Sequence, residues 1–192
     1  PSYVWTCESQ NLDLSNRDLL RTRSTNPDLV VAPNVLLPNV EYRFRLTTTL
    51  RGQPPGYAEI AILTNAPPAL GSCSGTPSSG VALTTLFRLA CSDWTDVDVP
   101  LQYRFEVAAS GLPLCELRQL EQYDTLLPAT ATSIRAVIRD SAGTEAKTIF
   151  NLTITKPAQL DLVATKRERD ERLAEGDTQA FAVLVAGTSE FL

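Results

Sequence analysis

Alternation of apolar and polar side chains, one residue in and one out, is the dominant pattern along this chain. It is strictest in Tyr42-Arg43-Phe44-Arg45-Leu46-Thr47, in the run Leu83, Thr85, Phe87, Leu89, Cys91, and in Ser133–Arg139. A period of two belongs to a β-strand with one face buried and the other wet. Residues 57–64, 101–107 and 148–155 read as further strands, and Tyr3-Val4-Trp5-Thr6-Cys7 is strand-like. Shorter strands are predicted at Leu12 with Leu14 and at Leu29-Val30-Val31. Gly52-Gln53-Pro54-Pro55-Gly56 and Asp140-Ser141-Ala142-Gly143 punctuate them as turns. Many short strands at even spacing predict β-sandwiches.

The alternation stops twice. Asn65-Ala66-Pro67-Pro68 interrupts it with two residues that lack a backbone donor and favour extended backbone, a stiff joint between modules. Beyond Pro157 the strand pattern ends in the charged run Lys166-Arg167-Glu168-Arg169-Asp170-Glu171-Arg172, read as a solvated helix face. Pro157 fits a first helical turn and Gly176 a stop after Leu173. Asp177 then fits the cap of a second helix with Phe181, Leu184 and Val185 on one side. The expected organisation is an all-β tandem of sandwiches followed by a short helical segment. Residues 1–66 form a first sandwich lacking its N-terminal part, 67–156 a second, and 157–192 a helical hairpin or the start of another module.

Charge and composition narrow the function. A net charge of −5 provides no basic surface for phosphate backbones or anionic lipid, so no nucleic-acid partner is expected. Histidine is absent, which removes Ser-His-Asp and Cys-His chemistry and the commonest metal ligand. No apolar run approaches the ~20 residues of a membrane-spanning helix, so membrane attachment is expected only through parts beyond this stretch. The chain starts inside a strand-like segment and contains no methionine, and is read as a piece of a longer polypeptide.

Candidate residues divide into structural and chemical ones. Cys73 and Cys91 flank enough chain for a strand, a turn and a return strand, and are expected to form a disulfide in an oxidising compartment. Cys7 and Cys115 have three open fates: bridging the modules, pairing with cysteines elsewhere, or remaining free. Trp94, shortly after Cys91, and Tyr103 read as core packing, as do Trp5 and Tyr42; the rival use of Trp94 and Tyr103 is stacking on sugar. Asp93, Asp96 and Asp98 read as turn formers rather than a calcium site, and no metal or cofactor is expected. Asp96 with Glu106 is the carboxylate pair that glycosidase chemistry would use, but no cleft-forming insertion is visible and strand carboxylates normally face solvent, so no enzyme is expected. Asn151-Leu152-Thr153 is a glycosylation acceptor whose asparagine falls on the polar face of its strand.

These residues carry two family resemblances. Leu36-x-Pro38-x-x-x-Tyr42 before an alternating strand resembles the tyrosine corner of fibronectin type III modules, where the phenol bonds back to the backbone. The series Pro67-Pro68, Gly71-Ser72-Cys73, Pro77-x-x-Gly80, Phe87, Cys91, Trp94, Asp96, Asp98, Pro100-Leu101, Tyr103, Phe105 resembles the REJ (receptor for egg jelly) module of polycystin-1-like membrane proteins. Leu173-x-x-Gly176-Asp177-x-Gln179 is similar to the segment that comes after the sandwiches in such chains. The resemblance implies fibronectin-III/immunoglobulin-like units in a non-catalytic stalk on the extracellular side of the plasma membrane, with the ciliary membrane as one location. It also implies neighbouring extracellular modules of the same chain as partners, with a polycystin-2-like channel subunit and an extracellular glycoprotein or matrix ligand as further ones. The His-Leu-Thr type tripeptide of the adjoining self-cleaving domain is absent, so autoproteolysis is not expected of this stretch.

Overall fold

A computed structural model of the chain describes residues 1–9, 12–158 and 162–189, apart from the side chains of Leu162 and Ala164. It divides into two compact units, Pro1–Ala66 and Pro67–Leu192.

The first unit is built on one antiparallel sheet, in which β1 (Ser2–Cys7) and β3 (Gly56–Leu63) flank β2 (Glu41–Thr49). Register sets Cys7 and Ile60 on either side of Phe44, and Ile62 beside Tyr42, so these residues share a face. Tyr42 and Phe44 are buried there under Leu12, Leu14 and Leu20. The strands expected at Leu12 with Leu14 and at residues 29–31 do not form; a single bridge pairs Leu20 with Val31. Local side chains capture the backbone instead. Asp13 accepts from the Ser15 amide (2.8 Å), and Asn16 from that of Asp18 (3.0 Å), capping a 3-10 turn at Arg17–Leu19. The leucines still fill the core without a ladder. Their cover stops short of β3, where Ile60 and Ile62 are 54% and 41% exposed.

Tyr42 closes the loop before its own strand. Its hydroxyl oxygen accepts a 2.8 Å hydrogen bond from the Leu37 amide across Pro38 and Asn39. Thr64 ties the same loop to the end of β3: its hydroxyl accepts from the Val40 amide and donates to the Leu37 carbonyl. The corner thus converts one buried phenol into a fixed entry for β2.

The second unit stacks two three-stranded antiparallel sheets. One has β6 (Leu86–Ser92) between β4 (Ser72–Thr76) and β8 (Gln122–Leu126); the other has β9 (Ser133–Arg139) between β7 (Gln102–Val107) and β10 (Glu145–Asn151). Between them lie Phe87, Leu89, Phe105, Val107, Ile134 and Ile138, nearly all without solvent exposure. The predicted run 148–155 is broken at Leu152, whose amide bonds to the Thr132 carbonyl. Past that break the chain resumes as β11 (Thr153–Thr155), which pairs in parallel with β5 (Ser79–Val81). The Asp140 turn is closed by its own carboxylate, which accepts from the Thr144 amide (2.8 Å), and by Gly143 at φ 96°.

Two helices complete this unit, so they are not set apart as a third body. The first, α1, spans Leu162–Ala174 among the described residues; residues 159–161 and 190–192 of the predicted tail lie outside them. Gly176 at φ 76° ends it, with the Asp177 amide bonded to the Arg172 carbonyl (2.9 Å). Asp177 then caps α2 (Thr178–Ser189) by accepting from the Ala180 amide at 3.0 Å. Its buried face is Val183, Leu184 and Gly187 rather than the predicted Phe181, Leu184 and Val185; Val185 is 41% exposed. The reason is a close approach: a Cβ on Gly187 would stand 2.6 Å from a Leu83 methyl. The charged run of α1 carries opposite-sign pairs, such as Arg172 with Glu168 at 3.0 Å.

Replacing Tyr42 by Phe keeps the ring and removes the acceptor for the Leu37 amide. The expected cost is about 1 kcal/mol, read from the urea midpoint at unchanged slope.

Candidate functional site

Cys73 and Cys91 stand directly opposite each other on the adjacent strands β4 and β6. Their sulfurs are bonded at 2.04 Å, with Cα atoms 4.0 Å apart. The pairing continues past the strand ends, because Ala69 and Thr95 exchange both backbone hydrogen bonds at 3.0 Å. Between the bridge and that exchange, Trp94 lies on Gly71. A Cβ on Gly71 would fall 2.2 Å from the indole, so only glycine admits the ring. Half-buried, Trp94 packs against the core, and among the described residues its Nε1 has no hydrogen-bond partner.

The acidic loop around Trp94 is turn chemistry. Asp93 adopts φ 62°, Asp96 accepts from the Asp98 amide (2.8 Å), and the Asp98 carbonyl accepts from the Ser141 amide (2.9 Å). Among the described residues no three metal-ligating side chains come together. Glu106, the other half of the carboxylate pair with Asp96, is held by Arg135 at 2.6 Å and is tied into β9.

The other predicted residues have structural positions. Trp5 is half-buried beside the first core and donates from Nε1 to the Asn26 carbonyl (3.1 Å). Tyr42 is fully buried at the corner. Asn151 is exposed at the end of the edge strand β10, with Ile149 and Thr153 exposed on its side and Leu152 buried on the other. Cys7 and Cys115 are free thiols. That of Cys115 is buried in the second core and accepts from the Phe105 amide (3.4 Å), and burial pushes its pKa up. Tyr103 is 4% exposed, so it offers no platform for a sugar.

Sequence reasoning missed β8 and what lies beside it. Gln122-Tyr123-Asp124-Thr125-Leu126 alternates, but with threonine and glutamine among its members it has no apolar signature. Its free side borders a cavity of about 590 Å³, roofed by the helices and lined by Leu83, Val183, Leu184, Glu168, Arg172 and Asp177. Tyr123 enters that wall with its phenol pKa raised by burial and by the Asp177 charge. Four successive β8 residues, Tyr123 to Leu126, line the cavity, which requires that it face the strand's edge and not one side of it.

Burial, then the charge and hydrogen bond of Glu121 (3.4 Å), push the Tyr103 phenol up to about 12. An unfolded tyrosine ionises near pH 10. The folded state therefore holds this proton more tightly, and the stability linked to it is whole below pH 10 and lost as pH rises toward 12. Urea unfolding across this range should show a loss on the order of 2 kcal/mol that Tyr103→Phe does not share. Parallel curves for the two proteins would refute the assignment.

The family described as REJ domain matches residues 2–186. Among curated proteins, "Polycystin family receptor for egg jelly" of Mus musculus is 35% identical over 63 residues, which is 33% of this chain and 3% of that relative's length. Among solved structures, the amphioxus IgVJ-C2 molecule is similar at TM-score 0.33 and 12% identity, covering 79% of this chain and 88% of that one. The human Desmocollin-1 ectodomain is similar at TM-score 0.26 and 13% identity, covering 82% and 31% respectively. With its family matched over nearly the whole length, the chain belongs to the REJ domain family.

Proposed function

We propose that this chain is a non-catalytic, load-bearing segment of the extracellular part of a polycystin-like membrane protein. The observation that carries the reading is the bridged pair of strands inside a REJ domain: a Cys73–Cys91 bond persists outside the reducing cytosol and resists separation of β4 from β6. The two buried cores and the proline pair Pro67-Pro68 between the units favour a relay of force or ligand binding along the chain. Its partners in this reading are flanking extracellular modules, a polycystin-2-like channel subunit, and an extracellular glycoprotein or matrix ligand, at a plasma or ciliary membrane. The exposed Asn151 acceptor is the place for a glycan.

The sugar-stacking alternative has little support, because Tyr103 is buried and Trp94 is pressed onto Gly71. Nonreduced peptide mapping of the protein purified from its native cells tests the reading. The expected result is a Cys73–Cys91 crosslinked peptide together with hexosamine on Asn151. Free thiols at both cysteines and an unmodified asparagine would overturn the extracellular placement.

A further inference from the structure

We infer that the open edge of β3 in the first unit pairs with β3 of a second copy of this chain, antiparallel about a two-fold axis through Ala61, making one continuous sheet from two. The hydrogen-bond phase of the sheet is the first argument. The Glu8 amide bonds to the Arg43 carbonyl, and the Thr64 amide to the Val40 carbonyl. With the registers of β1, β2 and β3, these bonds turn the even-numbered backbone groups of β3 toward β2 and the odd-numbered ones outward. Tyr57, Glu59, Ala61 and Leu63 therefore present their backbone to the open side. Among the described residues no partner reaches these amides. The opposite edge of the sheet is occupied at its middle, where the Trp5 amide of β1 bonds to the Ser24 carbonyl at 2.7 Å. A β3 edge thus has no matching open edge on β1 to join. Pairing with its own kind closes as a dimer and does not grow into a fibre.

Side-chain chemistry selects the occupant. β3 reads Gly-Tyr-Ala-Glu-Ile-Ala-Ile-Leu, exposed throughout, with Glu59 as its single charge. None of the usual guards of a strand edge, a lysine, a proline or a bulge, lies between Tyr57 and Leu63. A fitting partner is itself an extended, weakly charged strand with apolar side chains on both faces, and β3 is such a strand. A centre at Ala61 sets Ile60 against Ile62 of the other copy on the core side, where the cover from Leu12, Leu14 and Leu20 stops short. On the other face it sets Glu59 against Leu63, so the two Glu59 carboxylates do not face each other. The charges there are matched within each copy, Glu59 and Glu8 with Arg45 and Glu41 with Arg43. Arg45 also lies over the Tyr57 ring at 4.8 Å, and Arg51 is in the turn beyond the paired stretch. The net charge of −5 opposes association at long range and is screened at physiological salt.

Sedimentation of the 192-residue chain tests the pairing. A concentration-dependent equilibrium between monomer and dimer is expected, with no larger species. Ala61 meets itself at the axis, so Ala61→Lys and Ala61→Glu should each weaken the dimer by about tenfold or more. An equimolar mixture of the two should restore it, all at unchanged melting temperatures. Should either variant unfold, amide exchange of the unaltered chain gives a second reading: protection at Glu59, Ala61 and Leu63 should rise with concentration while that at Trp5 stays constant. A monomer at about 1 mM would overturn the proposal and leave the edge to a different protein. Species growing beyond the dimer, an association that both variants leave intact, or a mixture that dimerises no better than its components would also overturn it. So would protection of the β3 amides that does not depend on concentration, since another part of the same chain would then be the cover.

Discussion

The second unit depends on a register that its own hydrophobicity does not specify. Strand β4 reads Ser-Cys-Ser-Gly-Thr, with no aliphatic side chain to distinguish its inner face from its outer one. Polar, glycine-bearing strands are those that slip, since a shift by one residue has little to lose. The covalent bond between Cys73 and the residue directly opposite, Cys91, removes that freedom. In the chain-entropy account, closing a loop of this size also contributes about 3 kcal/mol. With β4 fixed, Gly75 lies against Leu152 and Phe150 of the facing layer, where a Cβ would be only 2.8 Å from a leucine methyl. Gly71 likewise comes under Trp94. The bridge thus aligns two close approaches, one to the opposite sheet and one to the loop that carries Asp96 and Asp98.

Much of the fold was legible because one-sided burial imposes a period of two. Residues 42–47 and 133–139 announce strands in this way, and the structure has β2 and β9 there. Tyr42 was legible for a different reason: a proline four residues before a strand-starting tyrosine describes a loop short enough for the phenol to reach back. Where side chains compete for the backbone, the pattern misleads. Leu12, Leu14 and Leu20 have the spacing and burial of strand residues, yet Asp13 and Asn16 take the amides a ladder would need. Helix faces misled for a steric reason. Helical spacing sets Val185 on one side with Phe181 and Leu184, but Gly187 lets the backbone of α2 come down on Leu83, turning Val183 inward and Val185 out.

The groove beside β8 was not legible at all. Its features are backbone amides and a gap between a sheet and a helix pair, and neither leaves a residue-type signature. Only the phase of the β6–β8 ladder shows which amides face outward.

The role of the bridge is tested most directly by hydrogen exchange in the protein carrying Cys73→Ala and Cys91→Ala together, compared residue by residue with the intact one. If the bridge sets the register, amides of Ser72–Thr76 lose their protection while those of Gln102–Val107 and Ser133–Arg139 keep theirs. Unchanged protection across Ser72–Thr76, or loss of equal size in all three strands, would contradict it.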